Sequence, residues 1–147
     1  TKANSDTDGD VINKMIDEYV SENSQKAVAF ASLGQLRYLS AIKFVDIVLG
    51  NSSSGLLEVP SFKKTTINIG DRQKGRARAS SVIDVRPAKE EILAAIKRAY
   101  SKEFEQTLKD TINPYDGGNP SKKMVKILKE IKLDGILKKK FYDIGIK

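Results

Sequence analysis

The sequence contains neither cysteine nor histidine. Without cysteine the chain can form no disulfide bond and no thiolate metal site. Without histidine it can form no Ser-His-Asp triad and no histidine-ligated zinc site, and histidine acid–base catalysis is excluded. We therefore predict that the chain binds no metal and uses no cofactor.

The sequence also lacks a long apolar run, although 39% of its 147 residues are hydrophobic. A membrane-spanning helix needs about 20 consecutive apolar residues, so we expect a soluble protein with no membrane partner. No secretory signal is visible, and the absence of cysteine agrees with a cytoplasmic location. The length suits one domain with its own core, and we assign residues 1–147 to one domain.

Positive charge is concentrated near the C-terminus. From residue 122 onward there are nine lysines and three acidic residues, which gives six of the net seven positive charges. A basic surface can bind nucleic acid or an anionic membrane. The segment carries no nucleic-acid-binding motif, however, and solvated lysines on a terminal helix are commoner, so we predict no nucleic-acid partner.

The most informative stretch lies near the middle of the chain. Residues 45–49 form an apolar run, broken only by Asp46, which predicts a buried parallel strand. Residues 50–55, which we call the serine turn, then read Gly-Asn-Ser-Ser-Ser-Gly. A strand, a small polar turn and a helix start can present backbone N–H groups to an anion at the carboxyl edge of an α/β sheet.

Four residues of this stretch are candidate ligand contacts. Ser52 and Ser53 supply hydroxyl donors, and Gly55 allows a ligand to approach the backbone closely. Glu58, about one turn into a helix that Pro60 keeps short, can accept hydrogen bonds from ribose hydroxyls. The chain has neither a P-loop nor a dinucleotide-binding fingerprint, so an ordinary turn without a ligand remains the alternative from spacing alone.

A second strand and loop follow the same logic. Residues 65–69 predict a strand that ends at Gly70. The segment after it, residues 70–78, is called the cation loop here because it includes Arg72, Lys74 and Arg76. In a parallel sheet these cations would lie beside the same edge as the serine turn, although a solvated loop is the alternative.

The remaining pattern completes an α/β alternation. Further strands are predicted at residues 26–30 and 81–85, and helices at residues 11–19, 36–42 and 88–100 and from Pro120 onward. In the helix at 88–100 we expect four inward positions: Ile92, Leu93, Ile96 and Ala99. Strands alternating with helices predict a Rossmann-like parallel sheet with flanking helices.

Three motifs together closely resemble the hydrolysing UDP-N-acetylglucosamine 2-epimerases: Gly50-Asn-Ser-Ser-Ser-Gly55, Glu58-Val-Pro-Ser-Phe62 and Asn68-Ile-Gly-Asp-Arg-Gln-Lys-Gly-Arg76. Residues 2–6 and Asn113-Pro-Tyr115 extend the resemblance, whereas residues 116–118 read Asp-Gly-Gly where the family has Gly-Asp-Gly. The resemblance implies the C-terminal half of a glycosyltransferase-B-like two-domain fold. The N-terminal domain and the first strands would then be absent, and the chain alone would be inactive.

The resemblance also implies a reaction. UDP is expelled across the C1–C2 bond to give a glycal, and water adds to release a free 2-epimer such as N-acetylmannosamine. Acid–base carboxylates would belong to the N-terminal domain, and the full-length enzyme would be a homo-oligomer. The UDP contacts that it implies in this chain are Asn4, Leu33 near the uracil, Ser52, Ser53, Gly55, Glu58 at the ribose, and Arg72, which answers the leaving-group charge.

Two other functions stay open at this point. A nucleotide-sugar glycosyltransferase of the same fold would pass the sugar to an acceptor instead of water. A non-catalytic nucleotide-binding domain would bind the UDP-sugar without turning it over. The products separate these possibilities: free 2-epimer with UDP, an acceptor conjugate, or no product.

Overall fold

The computed structural model describes residues 9–138, and the chain divides into two compact units, Thr1–Tyr115 and Asp116–Lys147. None of the helices in the described range is long and apolar enough to cross a membrane. The elements of the first unit are α1 (Gly9–Glu22), α2 (Gly34–Ile42), β1 (Ile47–Gly50), α3 (Ser54–Leu57), a 3₁₀ turn (Val59–Phe62), β2 (Thr65–Ile69), β3 (Val82–Val85), α4 (Lys89–Ala99) and α5 (Lys102–Lys109). The second unit contains α6 (Pro120–Glu130).

The three strands form one parallel sheet in the order β1-β2-β3. The predicted α/β Rossmann-like class is therefore confirmed. The register places Gly50 of β1 beside Asn68 of β2, and Asn68 beside Asp84 of β3. Because these three residues lie at or near the carboxyl ends of their strands, they form a row just below the edge where the serine turn and the cation loop begin.

Helices cover both faces of the sheet because neighbouring residues of β2 point to opposite sides. Ile67 joins Ile83, Ala95, Ala99 and Phe104 in a buried cluster, which packs α4 and α5 on one face. On the other face, the Thr66 hydroxyl donates to the Gly55 carbonyl of α3 at 2.7 Å. Helix α5 was not predicted, and its start is fixed by the Ser101 side chain, which accepts from the Phe104 N–H at 3.2 Å.

The buried face of α4 differs slightly from the predicted one. Leu93 was expected to face inward but is 48% exposed, whereas Ala95 is buried. Ile92 and Ile96 are half-buried and Ala99 is buried, as expected. Alanines at 95 and 99 leave room for the helix backbone to lie close to the sheet, and this close approach turns Leu93 toward solvent.

The strand predicted at residues 26–30 is wrong. The chain instead makes a turn in which the Lys26 and Ala27 N–H groups donate to the Asn23 carbonyl at 2.8 and 2.9 Å, and irregular backbone follows. Val28 in this segment is 75% exposed. An apolar run becomes a strand only where a neighbouring strand supplies hydrogen bonds, and no strand in the described range pairs with it.

The first strand is also shifted from its predicted place. It begins at Ile47 instead of Val45, and it is half-buried where a fully buried strand was expected. The reason is its position in the sheet, since β1 pairs only with β2 within residues 9–138. A strand at an edge keeps one side open to solvent.

Two predicted helices are confirmed but expose their apolar sides. In α1 the side chains of Val11, Met15 and Tyr19 are exposed. In α6, considered within the second unit alone, Met124 and Leu128 are exposed. Both helices therefore have the amphipathic pattern that the sequence predicted, but their apolar stripes remain open in the described structure.

The connection from β3 to α4 gives a pH prediction. Arg86 donates its backbone N–H to Glu91 at 2.9 Å and its Nε–H to the same carboxylate at 2.5 Å. These bonds lower the pKa of Glu91 below its ordinary value of 4.5, the side-chain bond from Arg86 being the larger cause. A carboxylate with a lowered pKa in the folded chain stabilises the fold above its unfolded-state pKa, and this stabilisation is lost as pH falls through the folded-state pKa.

We therefore expect Glu91→Gln to lower the unfolding midpoint near neutral pH and to have little effect at acid pH. Urea titrations of both proteins between about pH 3 and pH 7 measure this difference. Glu90→Gln is the matched control, because Glu90 is exposed and has no ion pair in the described part of the chain. A difference that is the same at every pH would contradict the assignment.

Candidate functional site

The serine turn uses several of its own donors. The Gly55 N–H donates to the Ser52 carbonyl at 3.2 Å, and the Ser54 N–H reaches the Ser52 hydroxyl at 3.4 Å. Helix α3 is only four residues long, so its dipole is small. The turn therefore offers an anion its serine hydroxyls rather than the N-terminus of a long helix. The prediction that this helix is short is confirmed.

Gly55 has a packing role that the sequence did not indicate. It is buried, and a Cβ atom placed on it would lie 2.6 Å from the γ-methyl carbon of Thr66. No real Cβ atom tolerates such a distance, so α3 can lie against β2 only because residue 55 has no side chain. The structure accounts for the glycine through helix–sheet contact; its predicted contact with a ligand stays a prediction.

A cleft of about 640 Å³ runs along β1 and is bounded by α2 and the serine turn. Three predicted contacts from separate segments line it: Leu33, Ser52 and Glu58. Leu33 is the residue before α2, and the Gly34 that follows has φ +66°, which a side chain would strain. The loop thus turns sharply at the mouth of the cleft, where the uracil was predicted.

Glu58 is placed to accept hydrogen bonds from a ligand. It lies directly after α3 and before the 3₁₀ turn, rather than one turn into a helix as predicted. Its side chain is half-buried and lines the cleft. Within residues 9–138 the carboxylate has no hydrogen bond and no ion pair, so both oxygens are free for donors such as ribose hydroxyls.

Two further residues line the cleft: Tyr38, which was missed as a contact, and Ser54, whose hydroxyl was counted as a donor of the serine turn but was not assigned to UDP. The Tyr38 hydroxyl and the Ser54 hydroxyl share a hydrogen bond of 2.6 Å, and both residues line the cleft. This bond ties α2 to α3 across the cleft wall. Tyr38 lies on the half-buried side of α2. The helical pattern of the sequence did not distinguish it from the apolar residues around it.

Arg72 approaches the serine turn but does not line the cleft. Its Nη1 lies 3.5 Å from Asn51 Oδ1, a long contact between exposed side chains. The neighbouring Gln73 makes the closer link, since its Nε2 donates to the Asn51 carbonyl at 2.7 Å. The structure thus brings the cation loop beside the serine turn, as the sequence predicted for the ends of parallel strands.

The cation loop is anchored by a residue that the sequence reasoning missed. Arg78 donates to Asp84 Oδ2 at 2.5 Å, to the Arg76 carbonyl at 2.7 Å and to the Gln73 carbonyl at 3.3 Å. Asp84 also accepts from the buried Asn68 side chain at 2.6 Å. The loop is therefore held to Asn68 and Asp84, the neighbouring polar residues of β2 and β3 that we call the polar row.

The other cations of the loop are available to a ligand. Arg72, Lys74 and Arg76 are exposed, and no described carboxylate lies within 4.0 Å of any of them. Arg78, by contrast, is paired with Asp84. The loop therefore divides its charges into one anchor and three free cations, an arrangement suited to a phosphate group.

A second cleft, of about 560 Å³, lies at the ends of β2 and β3. Three acidic residues line it, Asp71, Asp84 and Glu91, together with Arg86. This excess of carboxylates opposes the binding of a diphosphate. No group of three or more acidic side chains in the described range is arranged to hold a metal ion.

The Asn113-Pro-Tyr115 motif forms hydrogen bonds to the segments that carry Glu58 and the cation loop. Asn113 is buried and donates to the Leu57 carbonyl at 2.9 Å and to the Ser61 hydroxyl at 2.7 Å, which fixes the chain on either side of Glu58. The Tyr115 hydroxyl donates to the Ala77 carbonyl, next to the cation loop's anchor, at 3.2 Å. The motif therefore fixes the backbone next to two parts of the candidate site.

The predicted contacts fall into three groups. Leu33, Ser52 and Glu58 meet in the cleft. Ser53 is half-buried at the start of α3, Gly55 is buried beneath it, and Arg72 stands beside the Asn51 turn. Asn4 lies outside the described residues.

Comparison with known sequences finds a matching family model and several similar proteins. The family model described as UDP-N-acetylglucosamine 2-epimerase matches residues 1–129. A hydrolysing GDP/UDP-N,N'-diacetylbacillosamine 2-epimerase of Campylobacter jejuni is 47% identical over 145 residues, 98% of this chain and 37% of the relative. Polysialic acid biosynthesis protein P7 of Escherichia coli is 41% identical over 143 residues, with 97% and 36% covered.

A hydrolysing UDP-N,N'-diacetylbacillosamine 2-epimerase of Legionella pneumophila is 34% identical over 130 residues. The match covers 88% of this chain and 33% of that relative. The chain therefore spans about a third of the length of the curated relatives it matches.

Proposed function

Because the chain belongs to the UDP-N-acetylglucosamine 2-epimerase family, we propose that it is the UDP-binding portion of a hydrolysing UDP-sugar 2-epimerase. The whole enzyme would convert a UDP-sugar and water to UDP and a free 2-epimerised sugar such as N-acetylmannosamine. In this proposal residues 1–147 are one nucleotide-binding domain, and a second domain completes the enzyme as a cytoplasmic homo-oligomer.

One observation carries the proposal. Leu33, Ser52 and Glu58 stand in three segments that are separated along the chain, and they line the same cleft. Their predicted partners are, in that order, the uracil, the diphosphate and the ribose, which together make up UDP. The cleft holds a free carboxylate and serine hydroxyls, and Arg72 of the adjacent cation loop contacts Asn51, directly before Ser52.

The chemistry explains why cations are needed there. When the C1–O bond breaks, the proton on C2 leaves to a base, the C2–H electron pair forms the C1–C2 double bond, and the diphosphate departs with added negative charge. Donors that are already oriented stabilise this charge without a reorganisation cost. In our proposal Arg72 and the hydroxyls of Ser52 and Ser53 do this, while the base is a carboxylate of the other domain.

Product analysis tests the proposal. A full-length protein carrying this chain is incubated with UDP-N-acetylglucosamine and, separately, with UDP-N,N'-diacetylbacillosamine, because two relatives are named for the latter sugar. Release of UDP with a free 2-epimer supports the proposal. Transfer of the sugar to an acceptor would indicate a glycosyltransferase, and binding of UDP without turnover would indicate a non-catalytic domain.

Glu58 provides a direct test of the binding mode. We expect Glu58→Ala to weaken UDP binding by about 1–3 kcal/mol, or roughly 5- to 150-fold, because hydrogen bonds from the ribose to a charged acceptor are lost. Isothermal titration of UDP into both proteins measures the change. Uridine, which retains the ribose, should lose a similar factor, and equal UDP affinities would remove Glu58 from the site.

A further inference from the structure

The cation loop contains one buried side chain among exposed ones. Gln73 is 3% exposed, although Asp71, Arg72, Lys74 and Gly75 around it are exposed. Loop residues usually face solvent because buried polar groups need partners. The burial of a glutamine side chain at this position therefore needs a physical explanation.

The amide of Gln73 is only half satisfied. Its Nε2 donates to the Asn51 carbonyl at 2.7 Å, but its Oε1 is buried and has no hydrogen-bond partner in the described part of the chain. An unpaired buried acceptor lowers the stability of a fold. An apolar side chain of similar size would avoid this cost, so stability alone does not account for a glutamine here.

The bond that Gln73 does make joins two parts of the site. Asn51 lies directly before Ser52 in the serine turn, and Gln73 lies directly after Arg72 in the cation loop. The direct Arg72 contact with Asn51 is long, at 3.5 Å, and joins exposed atoms. The Gln73 bond is therefore the short link that sets how far the serine hydroxyl and the guanidinium stand from each other.

The Gln73 backbone is fixed as well. Its carbonyl accepts from Arg78 Nη2 at 3.3 Å, and Arg78 is bonded to Asp84, which accepts from Asn68 of β2. Hydrogen bonds thus run from the serine turn through Gln73 to the polar row of the sheet. The side chain of Gln73 therefore fixes the position of the serine turn relative to the sheet.

We propose that Gln73 is a positioning residue that holds the serine turn against the cation loop, so that Ser52 and Arg72 contact the same leaving diphosphate. This inference rests on the proposed function. Gln73 itself is buried and, in this proposal, acts through Asn51 and not by contacting the diphosphate. Its effect is to keep two contacting groups in the geometry that the departing diphosphate requires.

Gln73→Met tests the inference, since methionine has a similar shape but cannot donate to Asn51. We expect kcat for the UDP-sugar to fall about a hundredfold, as small misplacements of contacting groups can produce, while KM stays within about threefold. The thermal unfolding midpoint should change little, because the loss of the bond to the Asn51 carbonyl is offset by the removal of the buried, unpaired Oε1. Gln106→Met, on the exposed surface of α5, is the control and should change neither quantity.

Hydrogen exchange gives a readout that does not depend on activity. In Gln73→Met the amides of residues 50–53 and 71–73 should exchange faster than in the unsubstituted protein, with α4 unchanged. If the unsubstituted protein shows no turnover, the proposed function fails, and the exchange data still decide whether Gln73 joins the two loops.

Four results would overturn the inference: an unchanged exchange rate at residues 50–53, an unchanged kcat in an active protein, a variant that fails to fold, or a fall in kcat that matches a fall in the unfolding midpoint. Each of the last two would mean that Gln73 stabilises the fold, contrary to the argument from its unpaired oxygen.

Discussion

Replacing Arg72 by lysine is expected to lower turnover of the full-length enzyme about a hundredfold while weakening UDP binding less than tenfold. Lysine keeps the positive charge, so most of the attraction to bound UDP remains. It loses the planar fork that can donate two parallel hydrogen bonds to a phosphate. Those bonds matter most when the C1–O bond breaks and negative charge grows on the diphosphate. The substitution should therefore lower kcat more than it lowers the affinity for UDP.

Arg37→Lys provides the control. Arg37 is exposed on α2, does not line the cleft and, like Arg72, has no described carboxylate within 4.0 Å. Stopped reactions that measure UDP release, together with UDP titrations, give kcat and affinity for both variants. If Arg72→Lys behaves like Arg37→Lys, Arg72 is a solvated loop residue and the leaving-group charge must be met by another group.

Gly55→Ala is expected to destabilise the fold by about 1–3 kcal/mol, the usual cost of placing an extra methyl group in a packed contact. The added Cβ would lie 2.6 Å from Cγ2 of Thr66, and either α3 or β2 must move to relieve the overlap. Urea denaturation of both proteins, followed by circular dichroism, measures the loss. Gly55→Ala with unchanged stability would contradict the packing role.

Thr66→Ser offers a rescue of that variant. Serine removes the methyl group that the new Cβ would meet but keeps the hydroxyl that donates to the Gly55 carbonyl at 2.7 Å. The double variant should therefore recover most of the stability lost by Gly55→Ala, so the two substitutions should be strongly non-additive. If the rescued protein binds UDP normally, Gly55 acts through packing; if binding is still lost, its predicted contact with the ligand is supported.

The fold was predictable where local pattern and neighbouring strands agree. The strand at residues 65–69 occurs as predicted because it is central, and its first four residues are buried between β1 and β3 although three of them are polar. The more apolar run at residues 26–30 has no pairing partner in the described range, and it forms no strand. Sequence periodicity reports which side chains can be buried; it does not report whether a partner is present to bury them.

Part of the site was predicted from residue types that follow a strand. Ser52 and Glu58 were assigned from the residues after β1, Leu33 was assigned from the family resemblance, and all three line one cleft. Tyr38 and Arg78 were missed for a different reason. Their roles depend on partners far away in sequence, the Ser54 hydroxyl and the Asp84 carboxylate, and no local spacing indicates such a pair.

The polar row also has a consequence for how the two loops can vary among relatives. Gln73 bonds to a backbone carbonyl, so residue 51 can change its side chain without breaking that link. Arg78 and Asn68 both donate from their side chains to the Asp84 carboxylate, so a change at residue 84 removes a partner from each of them. Over evolutionary time the second set should co-vary, whereas position 51 should drift independently of position 73. A loop transplanted between relatives would accordingly need residues 68, 78 and 84 moved with it.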